Sequence, residues 1–586
     1  GLNYSDLWGK KIKVSGSYVF SSRENIGQEI RFREFITNNE TDQFYEEVSN
    51  DTRLNNQHQF DMRFEYNIDE KNRILYIPRF SARFETENSD FFGETTNGVD
   101  LINSVENTRT SKNKDYDLFN RFFYSHKFDK PGRTMTVRAR LGNNANEDRA
   151  NRLAENQFFS PTFRTETINQ QINRDRTGLS WETGISFTEA VSERSQFELE
   201  YEIGNRINDS DQLIFDVIDE TPGDPELRLD TALSNTFESK FLTQEVELGY
   251  QYSKDGLRFQ VEGQYQNAKL DNSQGFPLTF DLLRTFQSFQ PSVRIDYKFS
   301  DNTNIEFDYD TRTNEPNLRQ LQPVVDNSNP LQLYVGNPDL DQSYSNRLRV
   351  RFRSNNPETD RNWFLFAQSS FVKNTISNSS FIAQEATEIE NGIILEQGSQ
   401  LFRPVNLDGY WDFRSWLSYG IPAGFIKSNF NMNFGAAYTK RPTLVNQQNG
   451  FNNSRRLSTG FSINFNWIIW EGFVYRLDLT HQVNSGLSEG FDTNFTLVNM
   501  SLGKKIFNNQ RGEISLNVYD LFRQNNNIRR NISETFIEDV QTNVLQRYVM
   551  LTFSYNIRRF SKGMDMDDYQ ELINTGNDGS VRGGGL

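Results

Sequence analysis

Several segments of the chain alternate regularly between apolar and polar residues. In residues 257–266, leucine, phenylalanine, valine, glycine and tyrosine occupy every second position, with arginine, glutamine and glutamate between them. Residues 245–252 and 461–467 follow the same two-residue period. Successive side chains of a β-strand point to opposite faces of its sheet, so this period predicts strands with one apolar and one polar face.

The connections between the predicted strands alternate between short turns and long loops. Short turns are predicted at residues 68–71, 129–132, 253–256, 300–302, 421–424, 470–472 and 508–512. Long loops are predicted at residues 86–113, 145–175, 205–237, 314–343, 379–407 and 441–456. A soluble sandwich has no reason to collect its short connections at one end, whereas outer-membrane barrels have short periplasmic turns and long extracellular loops. We therefore predict an all-β fold, a transmembrane antiparallel β-barrel with about 20 strands in this chain, most of about 10 to 15 residues.

The composition agrees with a barrel and argues against other classes of protein. Aromatic residues make up 14% of the chain, with 50 Phe and 23 Tyr, as a lipid-facing wall with aromatic girdles requires. The net charge of −16 argues against nucleic-acid binding, which needs a basic face. The chain has no cysteine, and His58, His126 and His481 lie far apart. We therefore predict no metal site, no cofactor and no enzymatic activity, because nucleophile and phosphate-loop motifs are missing as well.

The end of the barrel is predicted from the last alternating segment. It runs from Leu545 to Arg558, with Phe560 closing its apolar face. We therefore expect a transmembrane β-barrel over residues 1–560 and a flexible periplasmic tail over residues 561–586. At the other end, the first predicted strand begins at Lys11, and no initiating Met or export signal is seen, so we expect an excerpt of a longer precursor. The strand parity places both ends of the chain in the periplasm.

Four short motifs resemble those of a known family. They are Arg-Thr-Asn-Glu-Pro at 312–316, Leu-Gln-Pro at 321–323, Asp-Asn-Ser-Asn-Pro at 326–330 and Gly-Asn-Pro-Asp-Leu at 336–340. Together they resemble the TonB-dependent receptor superfamily, and most closely the "outer membrane protein beta-barrel" family of Bacteroidota, which are Gram-negative. Residues 1–11, 517–522, 554–557 and 582–585 are similar to the same family.

The resemblance implies a 22-strand barrel whose lumen holds an N-terminal plug domain. Neither that plug nor the segment that binds TonB is visible, and two strands of the 22 would also be missing. The implied function is energised uptake of a scarce nutrient such as a siderophore, glycan or peptide, with a surface lipoprotein as a further partner. The alternative is a non-transporting barrel subunit of a multiprotein outer-membrane machine for assembly, secretion or surface display. An open porin ranks third, because an empty barrel of this size would be a wide leak.

Two neighbouring strands are predicted to carry charged rows into the lumen. Ile305, Phe307 and Tyr309 are expected to face lipid, as are Leu348, Val350 and Phe352 on the next strand. The polar positions between them are the lumen-facing candidates: Glu306, Asp308, Asp310, Arg312, Arg347, Arg349, Arg351 and Arg353. An arginine on a lipid face would cost about 2–4 kcal/mol at mid-bilayer, which favours the inward orientation. These rows either stiffen the wall and contact the plug, or form a substrate-binding strip.

Overall fold

The structure is a computed structural model that describes most of the residues. They are 1–35, 43–159, 163–219, 226–231, 233–277, 279–321, 325–326, 332–382, 387–389, 394–395, 400–423, 428–445, 451–469, 472–485, 494–507, 511–525, 527–532, 536–542 and 546–555. The predicted tail, 561–586, lies outside these residues, and so do residues 556–560 of the predicted barrel. The domain boundary at 560 therefore stays a prediction.

Strands account for nearly all of the described residues. They are β1 Leu2–Trp8, β2 Ile12–Phe35, β3 Gln43–Asn67, β4 Asn72–Thr96, β5 Leu101–Lys127, β6 Thr134–Phe158, β7 Arg164–Ser192, β8 Ser195–Asp219, β9 Glu226–Leu229, β10 Asn235–Lys254, β11 Leu257–Phe276, β12 Phe280–Ser300, β13 Thr303–Asn314, β14 Val325–Asp326, β15 Gln332–Val335, β16 Ser343–Asn356, β17 Arg361–Lys373, β18 Thr375–Ile382, β19 Thr387–Glu388, β20 Ile394–Leu395, β21 Gln400–Leu407, β22 Tyr410–Ala423, β23 Ser428–Val445, β24 Phe451–Ile469, β25 Phe473–Ser485, β26 Phe495–Ile506, β27 Gly512–Tyr519, β28 Asn527–Ile532, β29 Phe536–Thr542 and β30 Tyr548–Tyr555. One helical turn, α1 at Leu318–Leu321, accompanies them. No helix within the described residues is long and apolar enough to cross a membrane.

The described strands form one sheet of 28 strands and a separate pair, β19–β20. Within the large sheet, antiparallel pairs join 21 strands in succession, and we call these strands the wall. In order they are β1 to β8, β10 to β13, β16, β17, β22 to β27 and β30. This confirms the predicted all-β antiparallel fold of about 20 strands. The additional wall strand is β1, which the sequence did not predict.

The two ends of the wall lie near each other. The β28–β29 hairpin follows β27 in sequence, yet β29 pairs with the upper part of β2, from Glu29↔Thr542 to Phe35↔Phe536. The lower part of β2 pairs with β1 instead, from Trp8↔Ile12 to Leu2↔Tyr18. The wall therefore curves back towards its own beginning. Because β1 and β30 run in the same direction, antiparallel closure between them takes an odd number of further strands.

The wall has one apolar face with two aromatic rows, which we call the outer face. One row lies near the short turns and includes the pairs Phe197–Tyr250, with ring centroids 5.1 Å apart, and Trp363–Tyr419, at 3.9 Å. Another row, in β2 to β5, joins Phe20, His58, Phe84 and Tyr116 through successive ring contacts. Aromatic rows flanking an apolar band are typical of the lipid-facing surface of an outer-membrane barrel.

Strands β2 to β8 are much longer than predicted, with 24 to 29 residues each. The predicted loops 86–113 and 145–175 were therefore wrong: only residues 97–100 separate β4 from β5, and residues 159–163 separate β6 from β7. The predicted loops 205–237 and 441–456 are likewise largely strand. A strand needs roughly 9–11 residues to cross a bilayer, so about half of each long strand lies beyond it. In that part of β4 to β7 most side chains are polar, the alternation weakens, and backbone pairing continues.

The predicted loops 314–343 and 379–407 are confirmed as connections between wall strands, and their described residues include the strands β14, β15 and β18 to β21. We call the described residues within 315–342 and 374–409 the cap. Within it, β15 pairs in parallel with β21, and β21 pairs with β18. A small core at its base joins Leu321 and Leu340 of the cap to Ala268, Leu270 and Phe286 of the wall.

Candidate functional site

The predicted charged rows lie side by side on one face of the wall. The register of β13 and β16 places Glu306 opposite Arg351, Asp308 opposite Arg349 and Asp310 opposite Arg347. Directly opposite residues of an antiparallel pair share a face, so the acidic and basic rows form one ladder. The apolar neighbours, Phe307 opposite Val350 among them, lie on the outer face. We call the ladder side the shielded face, because the cap core packs on it through Phe286 of β12.

Four of the predicted residues form two ion pairs between β13 and β16, and an unpredicted arginine, Arg294, joins one of these pairs. Arg351 Nη1 donates to Glu306 Oε1 at 3.0 Å, and Arg294 Nη2 of β12 lies 3.1 Å from the same oxygen. Arg349 Nη2 donates to Asp310 Oδ1 at 2.8 Å, one step diagonal to its register partner. Glu306 and Asp308 are each only 9% exposed. The carboxylates lie at the base of the ladder, and the longer arginines cover them.

The structure brings the other predicted residues together less closely. Arg312 lies opposite Ser345 and pairs with Asp310 of its own strand, Nε to Oδ2 at 3.4 Å. Arg353 lies opposite Asn304, beyond the acidic row, with its guanidinium carbon 5.8 Å from the centre of the Phe364 ring. Three ladder atoms are buried without a hydrogen-bond partner among the described residues: Arg347 Nε, Arg349 Nε and Asp310 Oδ2.

Sequence reasoning missed Arg294 and Asp296 of β12. Arg294 Nε lies 3.1 Å from Asp296 Oδ2 and 3.9 Å from Asp308 Oδ1, so it connects two strands of the ladder. The signal was present, because Val293, Ile295 and Tyr297 alternate with Arg294 and Asp296 on the strand before the 300–302 turn. The ladder therefore spans three strands, β12, β13 and β16.

The family-like motifs hold the cap together. Asn337 donates from Nδ2 to the carbonyl of Pro404 at 3.1 Å, and its own backbone nitrogen donates to Gln320 O at 2.6 Å. Asn406 accepts from the backbone of Asp341 at 2.8 Å and donates back to its carbonyl at 3.0 Å. The Asn337–Pro404 and Asn406–Asp341 contacts cross between the two segments of the cap, and the Asn337–Gln320 contact closes the first segment on itself. The cap is also attached to the wall, where Arg206 of β8 pairs with Glu315.

The short-turn end of the wall carries exposed ion pairs. Lys71 of one turn pairs with Asp129 of the next, and this hydrogen bond and charge hold the pKa of the Asp129 carboxyl below its ordinary value. Asp69 accepts hydrogen bonds from the Asn72 side chain and from the backbone nitrogens of Lys71 and Asn72, all at 2.8 Å. These bonds lower the pKa of Asp69, with the Asn72 side chain as the largest contributor. The aspartates therefore fix the turn geometry at neutral pH.

Three solved structures align with this chain over most of both chains. The alcaligin receptor FauA of Bordetella pertussis is 11% identical, with a TM-score of 0.41, over 89% of this chain and 76% of that one. The siderophore receptor PirA of Pseudomonas aeruginosa is 11% identical, with a TM-score of 0.39, over 90% of this chain and 81% of that one. The hemophore receptor HasR of Serratia marcescens was solved with its hemophore HasA and heme. It is 10% identical, with a TM-score of 0.44, over 89% of this chain and 80% of that one.

No curated protein sequence matches this chain significantly. The model of the outer membrane protein beta-barrel family matches residues 126–555, which is well over half of the chain. The match includes the ladder strands and both segments of the cap. The family resemblance found in the sequence is thereby confirmed, and the chain belongs to the outer membrane protein beta-barrel family.

Proposed function

We propose that this chain is the barrel of a TonB-dependent-receptor-like protein that takes up a scarce nutrient, such as a siderophore, glycan or peptide. The proposal includes a plug domain in the lumen, a contact with TonB and a surface lipoprotein as a further partner. The observation that carries it is the cap, whose two segments fold onto the shielded face of the wall. A folded cap narrows the mouth, as selective uptake needs and an open pore does not.

The cap is built to keep its shape. Leu321 and Leu340 are 0% and 1% exposed, and Arg284 Nη2 donates to the Leu340 carbonyl at 3.2 Å. Side chains buried this completely are ordered by packing, so the surface they support presents a fixed arrangement of groups. A preformed surface binds one ligand class better than a mobile one, because less conformational entropy is lost on binding.

The proposal fixes an orientation for the wall. The cap and the upper halves of β2 to β8 are extracellular, and the short turns and the tail at 561–586 are periplasmic. The ladder then faces the lumen below the cap, where it stiffens the wall and contacts the plug. With 21 wall strands among the described residues, one further strand between β1 and β30 gives the 22 strands that the family resemblance implies, rather than the two expected from the sequence.

The height of the wall favours a second candidate, a non-transporting barrel subunit of a multiprotein outer-membrane machine. The upper halves of β4 to β7 are mostly polar and form a broad sheet beyond the membrane. One example is the outer-face pair of Arg149 with Asp175, at 2.7 Å. Such a sheet offers a docking surface for partner proteins. Long strands are compatible with a receptor and with a machine subunit. The proteins that bind the chain, and whether uptake depends on TonB, decide between these two functions.

The deciding experiment is purification of the full-length protein from native outer membranes in mild detergent, with identification of what comes with it. For the receptor we expect one surface lipoprotein or a bound small ligand, and uptake of that ligand that is lost when TonB is deleted. Fixed-stoichiometry association with several outer-membrane proteins, together with insensitivity to loss of TonB, would replace the receptor with the machine subunit.

A further inference from the structure

Four arginines gather on the shielded face of the wall, above the membrane-crossing part. Arg109 of β5 lies directly opposite Arg152 of β6. On β7, Arg174 and Arg176 lie four and six residues along the strand from the position opposite Arg152. We call these four residues the arginine patch. Arg152 is 18 residues along β6 from Thr134 at the short-turn end, against the roughly 9–11 that cross a bilayer. The patch therefore lies at the level of the mouth.

The patch contains more positive charge than its neighbours neutralise. Asp148 pairs with both Arg109 and Arg174, at 3.7 and 3.5 Å. Among the described residues, neither Arg152 nor Arg176 has a carboxylate within ion-pair distance. Arg152 Nε donates to the amide oxygen of Asn107 at 3.2 Å, and Arg176 lies opposite Asn146 and Ser210.

Other carboxylates near the patch are already engaged. Glu87 lies 3.9 Å from Arg109, but it accepts a hydrogen bond from Arg53 of β3. Asp216 of β8 pairs with Arg228 and accepts from Gln170. The sheet around the patch thus satisfies its acidic groups elsewhere and leaves a local excess of guanidinium groups.

Without a bound ligand, the opposed arginines lower the stability of the wall. Like charges directly opposite each other destabilise an antiparallel pair, as Arg109 and Arg152 do here. The neighbours of Arg152 on its own strand and face are small, namely Ala150 and Ala154, both buried. These small neighbours leave room for a ligand beside the opposed pair of Arg152 and Arg109. Such a group of planar forks suits carboxylate and phosphate oxygens, which accept two hydrogen bonds from each guanidinium.

We propose that the arginine patch binds the clustered oxyanions, carboxylate or phosphate, of an anionic ligand at the mouth of the barrel. The patch adjoins the cap through β8, the strand whose Arg206 pairs with Glu315 of the cap. This inference rests on the proposed uptake function and names its substrate class. A ligand on the patch would lie on the shielded face beside the cap, at the entrance to the lumen.

Equilibrium binding to the purified full-length protein in detergent tests this. Citrate and tripolyphosphate are titrated separately by calorimetry, as carboxylate and phosphate probes. The variant is Arg152→Gln with Arg176→Gln, because these two arginines lack an ion-pair partner. The matched control is Arg149→Gln, on the same strand but on the outer face, where Arg149 pairs with Asp175. Retained heat-modifiable migration in gels shows that each variant is folded.

We expect at least one probe to bind, and the double variant to weaken that binding by about tenfold or more, because charge-assisted hydrogen bonds are lost. The Arg149→Gln control should bind like the wild type. Binding of only one probe would support the inference and identify the oxyanion. Failure of both probes to bind at millimolar concentration, or equal weakening in the control, would overturn it. Because binding requires neither TonB nor energy, these outcomes are independent of the uptake test.

Discussion

Replacing Arg351 with leucine tests which face of the wall meets lipid, because the two orientations predict opposite signs. On the shielded face, Arg351 donates one charge-assisted hydrogen bond to Glu306, at 3.0 Å. Such a bond is worth about 1.5–3 kcal/mol, reduced here because the arginine side chain is 30% exposed and Glu306 keeps Arg294. We therefore expect the free energy of unfolding to fall by about 1–2 kcal/mol.

The opposite orientation gives a gain in stability instead. Arg351 lies five residues from Asn356, the short-turn end of β16, which places it within the membrane-crossing half of the strand. An arginine on the lipid face at mid-bilayer costs about 2–4 kcal/mol, so its replacement by leucine would stabilise the barrel by a similar amount. The neighbouring Val350→Arg is the matched control, and we expect it to lose about 2–4 kcal/mol.

Urea unfolding of the protein folded into lipid vesicles provides the measurement. Tryptophan fluorescence reports it, since the chain has seven Trp, and linear extrapolation gives the free energy. A cycle that combines Arg351→Leu with Glu306→Gln isolates the pair, with an expected coupling of about 1 kcal/mol. A stabilised Arg351→Leu together with a neutral Val350→Arg would refute the assignment of faces and the lumen-facing ladder.

Three further predictions address the turns, the cap and the orientation. Lys71→Met should raise the pKa of Asp129 towards its ordinary value, ~3.9, in a carboxyl NMR titration; the stability from this pair is present above the unfolded-state pKa and is lost as the pH falls through the lowered folded-state pKa. Asn406→Ala removes two hydrogen bonds that join the cap segments, and a third within the second segment, and should speed amide exchange at 332–341 without changing exchange in β4; unchanged exchange in the cap would count against these bonds. The chain has no cysteine, so an impermeant maleimide should label Val99→Cys on intact cells and leave Lys130→Cys unlabelled, and the reverse pattern would invert the proposed orientation.

The sequence predicted the faces of the wall well, because lipid imposes a two-residue period wherever it contacts a strand. Val261 and Tyr265 face outward and Glu262 inward, as the alternation of residues 257–266 requires. The acidic and basic rows at β13 and β16 became neighbours for the same reason. The loop between the two strands was correctly bounded at 314–343. Placing the two strands next to each other in an antiparallel sheet was then enough to predict that the rows face each other.

Strand lengths could not be predicted from the same signal. Phe84 lies 12 residues into β4 and belongs to the upper aromatic row, and the strand continues for 12 residues beyond it, to Thr96. In that stretch lipid no longer selects apolar side chains, so residues 86–96 resemble a polar loop. Backbone hydrogen bonds to β3 and β5 continue through it, because each strand satisfies the donors and acceptors of its neighbour.

The arginine patch shows why this limit matters for function. Three of its four residues, Arg109, Arg152 and Arg174, lie in segments that the sequence assigned to loops, where no register exists and Arg109 has no reason to meet Arg152. Extending the strands fixes the register, and the register places four guanidinium groups on one face. A loop could spread such charges apart in water, whereas a paired sheet holds Arg109 directly opposite Arg152 and keeps their repulsion. An anion that accepts from several of them removes that repulsion, so the rigid wall above the membrane is itself the reason to expect a ligand there.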